Sequence, residues 1–168
     1  GGTDTLVFNG SNVAEKIDVS AHGGRVRLTR DVGTVTMDVN DVERLQINSL
    51  GGPDAITIND LTGTDLNRVT VDLSGQIGSG QGDTAADTVT VNGTTDGDQI
   101  SVTSNGNSVT VNGLPAQVTV NGIDAGTDSL VINGLNGDDS INASKLAAGL
   151  VDLSLIHISA PTRQEAIS

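Results

Sequence analysis

The chain has 168 residues, 21 Asp and Glu against eight Lys and Arg, a formal net charge of −13 at pH 7, and no cysteine. That balance excludes a phosphate-neutralising nucleic-acid face and attachment to an anionic membrane surface. The missing thiols exclude disulfides and thiolate chemistry, and no apolar run reaches the roughly 18 residues of a membrane span.

Phe8 is the only residue among Phe, Tyr and Trp, so any core must be built from Val, Ile and Leu. Those β-branched and aliphatic residues suit thin pleated layers. Asp outnumbers Glu 18 to three, and glycine is frequent at 22 residues. Asp and Asn favour turns, where a short side chain bonds the local backbone, so very little helix is expected. The chain opens on Gly1-Gly2 without methionine or a signal peptide and is read as a fragment of a longer protein.

Taken in order, residues 4–37 align without a gap on 87–120. Asp4-Thr5-Leu6-Val7-Phe8-Asn9-Gly10 answers to Asp87-Thr88-Val89-Thr90-Val91-Asn92-Gly93. Leu50 to Ile56 answers to Leu135 to Ile141, and Val71-Asp72-Leu73-Ser74 to Val151-Asp152-Leu153-Ser154. This predicts a tandem duplication. A first unit covers 1–75, a Gly/Ser-rich linker 76–86, and a second unit 87–154.

Alternating apolar positions predict seven short strands in each unit, with Asn-Gly, Gly-Gly and Asp-Gly turns between them. The inward pairs begin Leu6/Phe8, Ile17/Val19, Val26/Leu28 and Val35/Met37, and in the second unit Val89/Val91, Ile100/Val102 and Val109/Val111. Residues 155–168 have no counterpart in the first unit. Their Leu155-Ile156-His157-Ile158-Ser159-Ala160-Pro161-Thr162-Arg163 resembles a translated sequencing adapter, so they are set apart as a non-native tail.

Acidic residues recur at a stride of 11: Asp4 to Glu15, Glu43 to Asp54, Asp87 to Asp98, Asp128 to Asp139. Equal steps at matching positions predict an all-β parallel solenoid that stacks like side chains over like. The longer gaps between these pairs would form hairpin excursions. Two tandem β-sandwiches are the alternative, since seven strands near ten-residue spacing also suit a sandwich.

The unit Gly-x-Asp-x-aliphatic, at Gly2-Thr3-Asp4-Thr5-Leu6, Gly52-Pro53-Asp54-Ala55-Ile56, Gly126-Thr127-Asp128-Ser129-Leu130 and Gly137-Asp138-Asp139-Ser140-Ile141, is similar to half of a nonapeptide. That nonapeptide belongs to RTX, or haemolysin-type calcium-binding, proteins, and the chain resembles the β-rich region upstream of such arrays. The resemblance implies an extracellular or bacterial cell-surface protein that binds calcium. This chain departs from the pattern in lacking most Gly-Gly-x segments and in its stride of 11 rather than nine.

Calcium takes 6–8 oxygen ligands in irregular geometry, which glycine turns beside aspartates can supply. The candidate ligands are Asp128, Gly137, Asp138 and Asp139, with Asp4, Asp54 and Asp98 as weaker ones. The competing reading is that each Asp only caps its own turn. His22 has no second native His or Cys, and Arg25, Arg27, Arg30 and Arg44 read as a solvated face.

The expected function is a non-catalytic, calcium-binding structural or adhesive repeat region. A cell-surface or matrix polysaccharide or protein would be its partner. The alternatives are a β-helical carbohydrate-active enzyme using Asp138/Asp139, and a calcium-independent spacer.

Overall fold

The computed structural model describes residues 1–156 in full and the backbone of residues 163–167. The remainder of the tail set apart above, including His157, lies outside the described residues. Fifteen strands are described: β1 (Thr5–Ser11), β2 (Lys16–His22), β3 (Arg25–Arg30), β4 (Val35–Val39), β5 (Arg44–Leu50), β6 (Ala55–Ile58), β7 (Arg68–Asp72) and β8 (Thr88–Asn92), followed by β9 (Gln99–Asn105), β10 (Ser108–Asn112), β11 (Gln117–Asn121), β12 (Ser129–Asn133), β13 (Ser140–Lys145), β14 (Asp152–Ile156) and β15 (Arg163–Ile167). No helix occurs among the described residues, and so none is long and apolar enough to cross a membrane. The chain is all-β.

The strands form two mixed sheets. The first has eight strands in the order β1-β5-β7-β11-β10-β9-β13-β15, the second seven in the order β14-β12-β8-β6-β2-β3-β4. In the first sheet β10 alone runs against its neighbours. In the second, β3 does so. Both are the middle strands of hairpin triplets. The remaining neighbours pair in parallel, and strands begun far apart in sequence lie side by side in register: Thr5 faces Arg44, and Lys16 faces Ala55.

Pairing also crosses between residues 1–75 and 87–154, through β6–β8 and β7–β11. The Gly/Ser-rich stretch between them is tied by a bridge from Ser74 to Gly82 and by the Gly52 amide on Asp83 Oδ2 at 2.6 Å.

Local sequence explains the elements. In Ser108-Val109-Thr110-Val111-Asn112 and Gln117-Val118-Thr119-Val120-Asn121 the valines are buried and the polar residues half-exposed. β-branched residues on both faces favour the extended backbone. The tight hairpins β2–β3 and β9–β10 are closed by Gly23-Gly24 and Gly106-Asn107, whose first residues lie at φ 65° and 60°. Such left-handed two-residue turns match the twist of the strands they join.

The buried positions of both sheets merge into one apolar cluster, from Phe8, Ile47, Val69 and Val71 to Ile17, Ile56, Val91 and Ile132. Each such aliphatic contributes about 1.5–3 kcal/mol by leaving water. The inner positions read from the alternation are the buried ones along the middle strands. At the edge strand β4, Val35 and Met37 are only half-buried.

Candidate functional site

Eight carboxylates stand one residue before a strand: Asp4, Glu15, Glu43, Asp54, Asp87, Asp98, Asp128 and Asp139 precede β1, β2, β5, β6, β8, β9, β12 and β13. Here the chain turns into a sheet, and the corner amide lies just outside the strand ladder. It needs another acceptor.

The carboxylates supply that acceptor across the sheet. The Glu15 amide donates to Asp54 Oδ1 at 2.9 Å, the Asp54 amide to Asp87 Oδ1 at 2.8 Å, and the Asp87 amide to Asp128 Oδ1 at 3.0 Å. In return, the first strand amide of each neighbour donates to the corner carbonyl: Ala55 to Glu15, Thr88 to Asp54, Ser129 to Asp87 and Asp152 to Asp128. The result is a continuous row beside β2, β6, β8 and β12. Two shorter rows repeat the bond. The Asp98 amide donates to Asp139 Oδ1 at 2.9 Å, and the Asp4 amide to Glu43 Oε2 at 2.7 Å.

At three corners a carboxylate oxygen serves the corner's own loop. Amides four residues upstream donate to it, Ser11 to Glu15, Thr94 to Asp98 and Asp124 to Asp128, each at 2.8 Å. Two corners differ. The Oδ2 atoms of Asp54 and Asp139 are buried and have no hydrogen-bond partner. Four residues before them stand Leu50 and Leu135, non-glycine residues held at φ 72° and 65°. Gly52 and Gly137, at φ 100° and 109°, pass close over the backbone of the preceding corner, at Val13-Ala14 and Asp96-Gly97. A Cβ there would collide with main chain, so glycine is required.

Glu15, Asp54, Asp87, Asp98, Asp128 and Asp139 are all buried. Burial pushes the Asp54 carboxyl up to about 7, with the charges of Glu15, Asp83 and Asp31 adding to the effect against the Glu15 amide. Burial pushes Asp87 up to about 8, reinforced by Asp128, Asp83 and Asp54 and opposed by the Asp54 amide. Asp98 and Asp128 are also raised by burial. At neutral pH part of this row is protonated, which lets carboxyl groups line up without a matching line of cations. Among the described residues only Glu15 has one, Arg30, which bonds its Oε1.

The residues proposed as calcium ligands from sequence do not converge on one point. Asp128 precedes a strand of the seven-stranded sheet, whereas Asp139 precedes one of the eight-stranded sheet and partners Asp98. Asp138 and Asp4 are exposed, Asp54 lies in the Asp128 row, and Gly137 serves the close backbone crossing. Among the described residues no group of three or more His, Cys, Asp or Glu is arranged to hold a metal ion. Glu15, Glu43 and Asp87, not among the candidate ligands, are full members of these rows. Their signal in the sequence is position, one residue ahead of an alternating strand.

At the far ends of the strands, amides form a second set of rows. Asn48 Nδ2 donates to Asn9 Oδ1 at 2.7 Å, Asn59 Nδ2 to Asp18 Oδ1 at 3.0 Å, and Asn92 Nδ2 to Asn59 Oδ1 at 2.8 Å.

The β2–β4 hairpins carry an exposed charge cluster in which Asp38 accepts from Arg25 Nε at 2.6 Å and Arg27 NH2 at 3.1 Å, beside His22 Nδ1 at 2.7 Å. Arg25, then His22 and Arg27, hold the Asp38 carboxyl down at about 2. No family model matches the chain, and no curated protein or solved structure matches it significantly.

Proposed function

We propose that the chain is a non-catalytic structural scaffold: a parallel β-solenoid with hairpin excursions, grown by tandem duplication, from the exposed part of a secreted or surface-attached bacterial protein with an adhesive role. The carrying observation is the reciprocal bond between corner carboxylate and neighbouring corner amide. Acidic residues that join adjacent strands in this way support the scaffold reading.

Recurrence at matching positions supports the duplication. Glu15 with Asp54 and Asp98 with Asp139 make the same amide bond. Ser11 and Thr94 donate alike, by amide and hydroxyl, to Glu15 and Asp98. Leu50 and Leu135 share the left-handed backbone.

Calcium is the second reading, favoured by the RTX resemblance and by the unpartnered oxygens of Asp54 and Asp139. An extracellular-type site with Kd of ~10⁻⁴–10⁻³ M, at tenfold saturation, would add about 1.4 kcal/mol of stability. The test is the melting temperature of this chain with and without millimolar calcium, read beside calorimetric titration. The scaffold reading expects no shift and no heat. A rise of several degrees with saturable heat would assign the corners to calcium instead.

A further inference from the structure

The outward face of the eight-stranded sheet holds an uncompensated pair of arginines. Register places Thr5, Arg44, Arg68 and Gln117 in one row across β1, β5, β7 and β11. The next outward row is Val7, Gln46, Thr70 and Thr119. Strands in register lie about 4.8 Å apart, so the Arg44 and Arg68 side chains leave the sheet next to each other. Like charges directly opposite on a sheet repel.

In a chain carrying 21 Asp and Glu, a nearby carboxylate would be the ordinary remedy. Yet neither guanidinium has an ion pair or side-chain hydrogen bond among the described residues, and both are exposed. The contrast with the other sheet is direct: Arg25, Arg27 and Arg30 are each matched to Asp38 or Glu15. The arginine pair borders a shallow groove of about 240 Å³ lined by Thr5, Arg44, Gln46, Arg68 and Thr70.

We propose that this groove binds a carboxylated sugar unit of a linear polysaccharide, with Arg44 and Arg68 gripping the carboxylate and Gln46 and Thr70 meeting the ring hydroxyls. The guanidinium fork matches the two oxygens of a carboxylate. One carboxylate between two forks removes the repulsion that the bare pair carries. Hydroxyl and amide neighbours suit a polyol better than an apolar ligand. The net charge of −13 opposes the approach of any polyanion, nucleic acid and anionic vesicles included, so the ligand that fits is one carboxylated sugar in an otherwise neutral glycan chain. The inference gives the adhesive part of the proposed function a ligand and rests on that part alone; the scaffold reading stands or falls on the corner carboxylates.

The test is calorimetric titration of the whole chain at low salt with an oligosaccharide carrying a single galacturonate among neutral sugars, its methyl-esterified neutral counterpart, and inorganic sulfate. The expected result is saturable binding of the galacturonate-bearing oligomer alone. It should weaken at least tenfold in Arg44→Gln and in Arg68→Gln, and remain in Arg25→Gln. Arg68→Lys should also lose affinity, because an ammonium cannot offer the fork. Melting of Arg44→Gln and Arg68→Gln at or above the wild-type temperature shows that the variants fold. No saturable binding, equal binding by the Gln variants, equal binding of the neutral oligomer, or equal binding of sulfate would overturn the proposal. So would self-association of the chain abolished by Arg44→Gln, which would make a second copy the occupant.

Discussion

Asp87 gives its amide to Asp128 and receives the Asp54 amide on Oδ1, so one side chain joins two neighbouring corners. Replacing it by alanine strands a buried amide on Asp54, at a cost of about 1–3 kcal/mol. Asparagine keeps the accepting oxygen and removes the ionisable group. Urea unfolding near pH 8 should therefore find Asp87→Ala clearly destabilised and Asp87→Asn equal to the parent or more stable. Equal loss in both variants would mean that the carboxylate charge, not the accepted hydrogen bond, is what matters.

The stride of 11 between acidic residues is visible in the sequence because a carboxylate stands at most of the points where the chain turns from one sheet into the other, though not before β7 or β14. The partners are not visible. Asp4 lies 11 residues from Glu15 but bonds Glu43, 39 positions away. Asp128 bonds Asp87 at a separation of 41, not Asp139. Periodicity along the chain reports when a corner occurs, whereas a hydrogen bond needs the corner stacked beside it. Arg44 and Arg68 were hidden for the same reason: 24 positions separate them, and only the β5–β7 register makes them neighbours.

At the scale of the strand, stability comes from the inner row. Ile47 on β5 is fully buried within the shared cluster, while Val7 on the neighbouring β1 is 53% exposed. Ile47→Ala removes apolar volume from a packed site and should cost about 2–5 kcal/mol. Val7→Ala, on the outer face, should stay within about 0.5 kcal/mol. Denaturant titration of the two variants checks this directly, and a reversal would place the sheet the other way round.

The alternation was readable in these strands because each has one wet and one dry face, which a period of two records faithfully. The hairpin triplets were readable from their glycine turns. Which sheet each triplet joins was not, because β3 and β10 carry the same pattern yet lie in different sheets.

For the whole molecule, the raised carboxyls set how stability varies with pH. Asp54 and Asp87 hold their protons to about 7 and 8 in the folded chain, against the ordinary carboxylate value near 3.9 in the unfolded one. Asp98 and Asp128 shift the same way. Over that window the folded state binds more protons, so stability falls as pH rises through the folded values. Glu15, Asp31, Asp83 and Asp128 face these groups and add to the effect.

Asp38 and Asp31 are lowered, and their contribution is lost only as pH falls below about 4. The melting temperature should therefore be higher at pH 5 than at pH 8.5, by about 2–4 °C for each kcal/mol involved. Melting curves across that range, at fixed ionic strength, check the sign.

The most direct test of the carboxylate rows is an NMR titration of the Asp side-chain carboxyl carbons in the folded chain. Buried groups stacked corner on corner predict midpoints near 7 for Asp54 and near 8 for Asp87, well apart from the exposed aspartates. Midpoints near 4 for both would place these side chains in water and contradict the rows.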